Sequence, residues 1–176
     1  MKHYFELAFM LVLFFMGTAC QNEGESNIAK FKSNTESGNK VIDYSKVILK
    51  IERGAFHYDT FIVDQEAVRF LPKEERTGTN KADLKYYTAS TTKISKEDFK
   101  ELIDFVLIND FLRMENYYED LSSCQSDLKI SLTIGDKVKI IHCSDFQRGC
   151  PDLIYQIENK VIDLHGKQLQ RKFLPG

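Results

Sequence analysis

Val47, Leu49 and Ile51 alternate with Lys46, Lys50 and Glu52, the period of a half-buried strand, and Gly54 ends it. Residues 58–63 and 67–71, separated by Asp64-Gln65-Glu66, predict a second and third strand in a tight antiparallel meander. Residues 72–81 (PKEERTGTNK) are polar and turn-rich and predict a surface loop, and residues 84–90, with Tyr86 and Tyr87, a fourth strand. Then the period changes. Ser95 with Asp98 three residues on opens a helix. Phe99, Leu102, Ile103, Val106 and Leu107 carry it at helical spacing over 96–109. The nearly continuous apolar run at its end predicts deep packing on the sheet. Phe111, Leu112 and Met114 extend that packing through an irregular connector to Tyr117 and Tyr118.

Leu128, Ile130, Leu132 and Ile134 alternate with Lys129, Ser131 and Thr133, the clearest strand in the chain. Gly135-Asp136 turns it back into residues 137–143, and here two rules conflict. A two-residue loop sets Ile134 opposite Lys137, whereas core parity asks for Val138 and Ile140 inward. Since a one-residue slip would bury two lysines, parity is expected to win through a longer loop or a bulge. Pro151 suits the first position of a last helix, and Asp152 suits its positive end. Leu153, Ile154, Ile157, Val161 and Leu164 mark its buried face, and Gly166 stops it. The predicted fold is α+β: an antiparallel sheet in the order β-β-β-β-α-β-β-α with both helices on one face. The single domain is expected over 45–166, with 167–176 a loose tail.

Ahead of the domain, Lys2 and His3 give a positive head, Leu7 to Met16 run unbroken and apolar, and Gly17-Thr18-Ala19 are small. That is the build of a secretory signal peptide. Its apolar run is about half the roughly 20 residues that span a bilayer, so residues 1–19 are expected to be removed. Residues 21–43 are rich in Asn, Ser, Glu, Gly and Lys, a composition that does not order itself. As a coil they reach about 25–30 Å.

Composition narrows the partners. Removing residues 1–19 takes away Lys2 and Glu6 together, so the formal charge stays at −2. Interspersed charge of this kind offers no basic stripe to nucleic acid and no polybasic cluster to anionic lipid.

Three thiols follow Cys20: Cys124, Cys143 and Cys150. In an oxidising compartment one disulfide and one spare thiol are expected. Cys124 precedes the strong strand and Cys150 the last helix, at the same end of the hairpin, while core parity turns Cys143 away from the helices. Cys124–Cys150 is therefore the preferred pair. Zinc is not expected from Cys124, His142, Cys143 and Cys150. The spacing has no C-x-x-C or H-x-x-x-H clip, and neighbours on a strand point to opposite faces.

His57 and Asp59 form an H-x-D pair that could bind a metal or move a proton, weighed against a strand-edge histidine beside an unrelated aspartate. His165, after the last helix, is read as favouring that helix's dipole. No nucleophile elbow or Gly-rich phosphate loop occurs, so no catalytic residue, cofactor or metal is expected. Glu74-Glu75 reads as solvated loop. Tyr86-Tyr87 and Tyr117-Tyr118 could expose aromatic surface to a glycan or protein.

Gly17-Thr18-Ala19-Cys20 resembles a bacterial lipobox, in which the cysteine is diacylated and becomes the new N-terminus. Gly17 departs from the leucine usual three residues before the cysteine, and the same residues also suit ordinary signal peptidase, so plain secretion stays open. The resemblance implies lipid attachment at Cys20 and a cell-envelope location, on the periplasmic or surface side of an outer membrane. Gln21-Asn22-Glu23-Gly24-Glu25 is also similar to a surface-export signal of some Gram-negative lipoproteins. From Val47 to Leu164 the layout resembles a family of small bacterial envelope domains of unknown function. The matching residues are Arg53-Gly54, Ser95-Lys96-Glu97-Asp98-Phe99, Tyr118, Ser126-Asp127 and Cys150-Pro151. That family's cysteine pair with a proline after the first strand is missing here, where Gly54-Ala55-Phe56-His57-Tyr58 stands. The element order faintly resembles small bacterial inhibitors of thermolysin-like proteases. Expected is a membrane-tethered, non-enzymatic domain that binds an unknown protein or glycan, with protease inhibition through residues 72–81 or an unrecognised enzyme as alternatives.

Overall fold

A computed structural model describes residues 42–54, 59–74, 81–118, 128–143 and 150–171. All belong to one unit, Val41–Gly176. Its elements are β1 (Val47–Arg53), β2 (Asp59–Val63), β3 (Ala67–Pro72), β4 (Ser90–Lys93), α1 (Lys96–Ile108), β5 (Tyr117–Tyr118), β6 (Leu128–Ile134), β7 (Lys137–Cys143) and α2 (Asp152–His165). The strands form one sheet in the order β4-β3-β2-β1-β6-β7-β5. The α+β class with helices over a sheet is as expected. The sheet is mixed, however, because β5 runs parallel to β7 while every other pairing is antiparallel.

Alternation decides which face is buried. Val47, Leu49 and Ile51 of β1 share a face with Phe61 and Val63 of β2, Val68 and Phe70 of β3, and Leu128, Ile130 and Leu132 of β6. These side chains form one core with Phe99, Leu102, Ile103 and Val106 of α1 and Ile154, Ile157, Val161 and Ile162 of α2. Burying each aliphatic or aromatic side chain contributes about 1.5–3 kcal/mol. Short polar devices set the ends of the elements. Asp64 accepts from the amides of Glu66 (2.9 Å) and Ala67 (3.1 Å) and so closes the β2–β3 turn. Ser95 caps α1 by accepting from the Asp98 amide at 3.0 Å. Gly166 ends α2 in the left-handed region at φ 79°.

The β6–β7 hairpin corrects the parity reading. Ile134 pairs with Lys137 across a two-residue loop, with no bulge. Gly135 carries a positive φ of 57° and Asp136 does not, the pattern of a type II′ turn. Lys137 and Lys139 therefore share the face of Ile141 and Cys143, while Val138 and Ile140 point to the uncovered face. The feared burial of two lysines does not follow. Lys137 is exposed at this end of β7, and Lys139 Nζ donates to Met114 O and to Asn116 Oδ1 (2.6 Å).

Three further expectations change. The fourth strand is Ser90–Lys93, and Leu84–Tyr86 forms a 3₁₀ turn. There Lys85 Nζ donates to the carbonyls of Lys167 (3.1 Å) and Gln168 (2.6 Å), and the Tyr86 hydroxyl to that of Gln170 (3.0 Å). These tertiary bonds overrule the strand preference of the two tyrosines. The same contacts show that residues 167–171 of the expected tail are not loose: Leu169 has no exposure. Finally, α1 ends at Ile108, which is 79% exposed, so its apolar end does not lie wholly against the sheet.

Candidate functional site

Two arrangements stand out, one sealed inside the domain and one on its surface. Inside, Arg53 continues the buried parity of Val47, Leu49 and Ile51, and Asp59 pairs with it across β1 and β2. Arg53 Nε and Nη2 donate to the two carboxylate oxygens of Asp59, both at 2.5 Å. Arg53 Nη1 donates to Leu169 O at 2.7 Å and reaches Glu158 Oε1 at 3.4 Å. Glu158, on the inner face of α2, accepts from Arg171 Nε at 2.8 Å. Two guanidinium groups and two carboxylates thus balance in charge within the core. Burial pushes the Asp59 carboxyl up from its ordinary range, against hydrogen bonds from Arg53. It pushes the Arg171 guanidinium down, against the attraction of Glu158. With side chains fully or almost fully enclosed, this cluster ties residues 169–171 and α2 to the sheet. It is built for cohesion.

The surface arrangement is the sheet face turned away from the helices. Register aligns Ile48, Thr133 and Val138 in one row, Lys50, Ser131 and Ile140 in the next, and Glu52, Lys129 and His142 in a third. Val138 is 52% and Ile140 45% exposed, and Ile48, Leu71 and Tyr117 are exposed as well. Tyr117 stacks on His142 with ring centroids 4.9 Å apart. Glu52 receives Lys50 at 2.9 Å and Lys129 at 2.8 Å. Although partial burial opposes it, these two lysines hold the Glu52 carboxyl below its usual range. On the inner side of β7, burial holds the Lys139 ammonium down, with Glu115 acting the other way. Large apolar side chains beside paired charges on one exposed face suit contact with a macromolecule.

The residues singled out from the sequence fall in different places. Cys20, Cys124, His57 and Glu75 lie outside the described residues, as do residues 75–80 of the proposed inhibitory loop. Cys150 is bonded to Cys143, with Cα atoms 5.4 Å apart, which replaces the expected Cys124–Cys150 pair. The reason is the hairpin register: Cys143 turns toward the helices, with no exposure, and meets the start of α2. Asp59, one half of the H-x-D pair, is engaged by Arg53 in the core. Its neighbours make it part of an ion cluster. His165 is the last residue of α2, where the dipole reading placed it, but its surroundings are those of a core residue. Its ring is 1% exposed and packs edge-on against Phe61 and Phe70, at 5.9 and 6.2 Å between centroids. Its Nε2 lies 3.1 Å from Ser90 Oγ. Burial lowers its pKa, so the neutral ring is favoured where a dipole role needs the cation.

Tyr86 is buried, and Tyr117 is the member of its pair that is exposed. Among the described residues, no group of three or more His, Cys, Asp or Glu is placed to hold a metal ion. No helix there is long and apolar enough to cross a membrane. Sequence reasoning missed Arg53, Glu158 and Arg171. A signal existed: Arg53 and Asp59 sit at buried-face positions of their strands, and Glu158 falls four residues after Ile154 and four before Ile162.

No protein-family model matches the chain, and no curated protein is similar enough to count as a relative.

Proposed function

We propose that this protein is a membrane-tethered binding domain of a bacterial cell envelope, held by acyl chains on Cys20 and presenting the uncovered face of its sheet to a partner. The observation that carries the binding part is the exposure of Ile48, Leu71, Val138, Ile140 and Tyr117 on or beside the sheet face opposite the two helices. Exposed apolar area concentrated on one face favours macromolecular contact over solvation. The tether is supported by the leader pattern of residues 1–19 and by Cys20 directly after small residues. An unmodified cysteine at a new N-terminus would be an exposed, reactive thiol. Two or three acyl chains give stable anchoring, at about 0.8 kcal/mol per buried methylene.

Fractionation tests the tether. The full chain is expected in the membrane pellet, resistant to salt and carbonate washes but released by detergent. Cys20→Ala should move it to the soluble envelope or retain its leader. Equal membrane association of both forms, with the leader removed from each, would refute attachment at Cys20.

A further inference from the structure

We infer that the outer edge of β7, from Lys137 to Ile141, is a strand-addition site for an extended segment of another protein, one that alternates apolar and acidic residues. The inference rests on the binding reading above and names the surface and the partner's chemistry.

Backbone direction comes first. The His142 amide donates outward to Asn116 O at 2.9 Å, away from β6. Amides two residues apart along a strand point the same way, so those of Val138 and Ile140 also face outward. Among the described residues, β5 pairs with β7 only at His142 and Cys143. Residues 137–141 thus have a strand, among the described residues, on the β6 side alone. A row of outward amides and carbonyls at such an edge is a template for pairing.

Side chains then select the occupant. A second copy related by a two-fold axis would lay β7 antiparallel on itself, with outward-facing residues opposite one another. Val138 opposite Val138 sets Lys137 against Lys139. Val138 opposite Ile140 sets Lys139 against Lys139. Ile140 opposite Ile140 brings Val138 to His142, whose amide is already taken by Asn116. Two registers juxtapose ammonium groups and the third meets β5. Like charges directly opposite each other are destabilising, so the edge rejects its own copy.

An acidic strand meets none of these obstacles. Its apolar side chains would lie beside Val138 and Ile140, extending the row that runs through Thr133 to Ile48. On the other face its carboxylates would lie beside Lys137 and Lys139. Among the described residues the Lys139 ammonium donates to the uncharged oxygens of Met114 and Asn116, while the Glu115 carboxylate acts on it through space without a hydrogen bond. A carboxylate there adds a charge-assisted hydrogen bond.

The test uses the isotope-labelled full-length protein in detergent micelles and the peptide acetyl-Thr-Val-Glu-Val-Glu-Val-Thr-amide. Saturable shifts and slowed amide exchange are expected at Val138 and Ile140. A peptide with lysine for glutamate should bind at least about tenfold more weakly. Val138→Pro removes an outward amide and leaves the bonds to β6 in place, and it should weaken binding by a similar factor. Should that variant not fold, methylating the peptide nitrogens that face the edge gives the same comparison. Equal binding of acidic and basic peptides, changes confined to other strands, or no binding up to about 1 mM would overturn the assignment. So would a concentration-dependent dimer lost in Val138→Pro, which would make the second copy the occupant. Failure here leaves the fractionation of Cys20→Ala unaffected, so the two readings fail separately.

Discussion

The Arg53 guanidinium grips the Asp59 carboxylate of the neighbouring strand through two hydrogen bonds of 2.5 Å, where neither side chain has any exposure. Removing one partner of such a pair strands the other charge in the core. Asp59→Asn is therefore expected to lower unfolding free energy by about 3–5 kcal/mol in urea titrations. Replacing Arg53 with Met and Asp59 with Leu together should recover most of that loss, although Glu158 and Leu169 O lose their Arg53 contacts. A single variant within about 0.5 kcal/mol of the parent, the range of ordinary surface changes, would show that the pair is not cohesive.

The first residues after α2, 167–171, pack against the core. Leu169 has no exposure, and its carbonyl accepts from Arg53 at 2.7 Å. Leu169→Ala should cost about 2–5 kcal/mol by lost burial and a residual cavity. Protease nicking around residues 167–171 should accelerate at the same time. Unchanged stability and unchanged nicking would mean that this segment does not pack as described.

His165 makes stability depend on pH with a definite sign. Its folded pKa lies below the ordinary 6.5 because burial disfavours the cation, aided by Lys167 and opposed by Ser90. The unfolded chain binds the proton more readily, so this contribution is full above about pH 6.5 and is lost as pH falls toward the folded pKa. Urea unfolding between pH 7.5 and pH 5 should show a larger loss for the parent than for His165→Gln. Parallel curves would place the histidine elsewhere.

The strongest patterns were readable from the chain. Strict alternation gave β6 its bounds, Leu128–Ile134, and Ser95 with Asp98 located the start of α1. Where two local rules competed, at Gly135-Asp136, the turn prevailed over hydrophobic parity. The structural reason is that the inner side of β7 is only partly covered at this end, where Lys137 is exposed and Lys139 finds Met114 O and Asn116 Oδ1. That single register also decides Cys143. Tyr86 and the tail were misjudged because their order comes from each other, across a separation no periodicity reports. The ion cluster was legible as charged residues at buried positions, yet its membership depends on α2 meeting β1. The surface site was hidden for the converse reason: Val138 and Ile140 read as core.

The disulfide has its own consequence. Joining Cys143 to Cys150 closes a loop of sequence separation 7, and the chain-entropy model gives about 2–3 kcal/mol for a loop this short. Nonreducing peptide mapping should recover the Cys143–Cys150 linkage, and Cys143→Ala with Cys150→Ala should lower stability by that amount. A Cys124–Cys150 peptide as the main species would contradict the β7 register itself.

The claim on which the functional account depends is attachment through Cys20, and the mass of the mature N-terminal peptide tests it most directly. The account predicts a peptide that begins at Cys20 and carries the added mass of a diacylglyceryl group, with or without a further acyl chain. A mature chain that still holds residues 1–19, or one that begins with an unmodified Cys20, would contradict it.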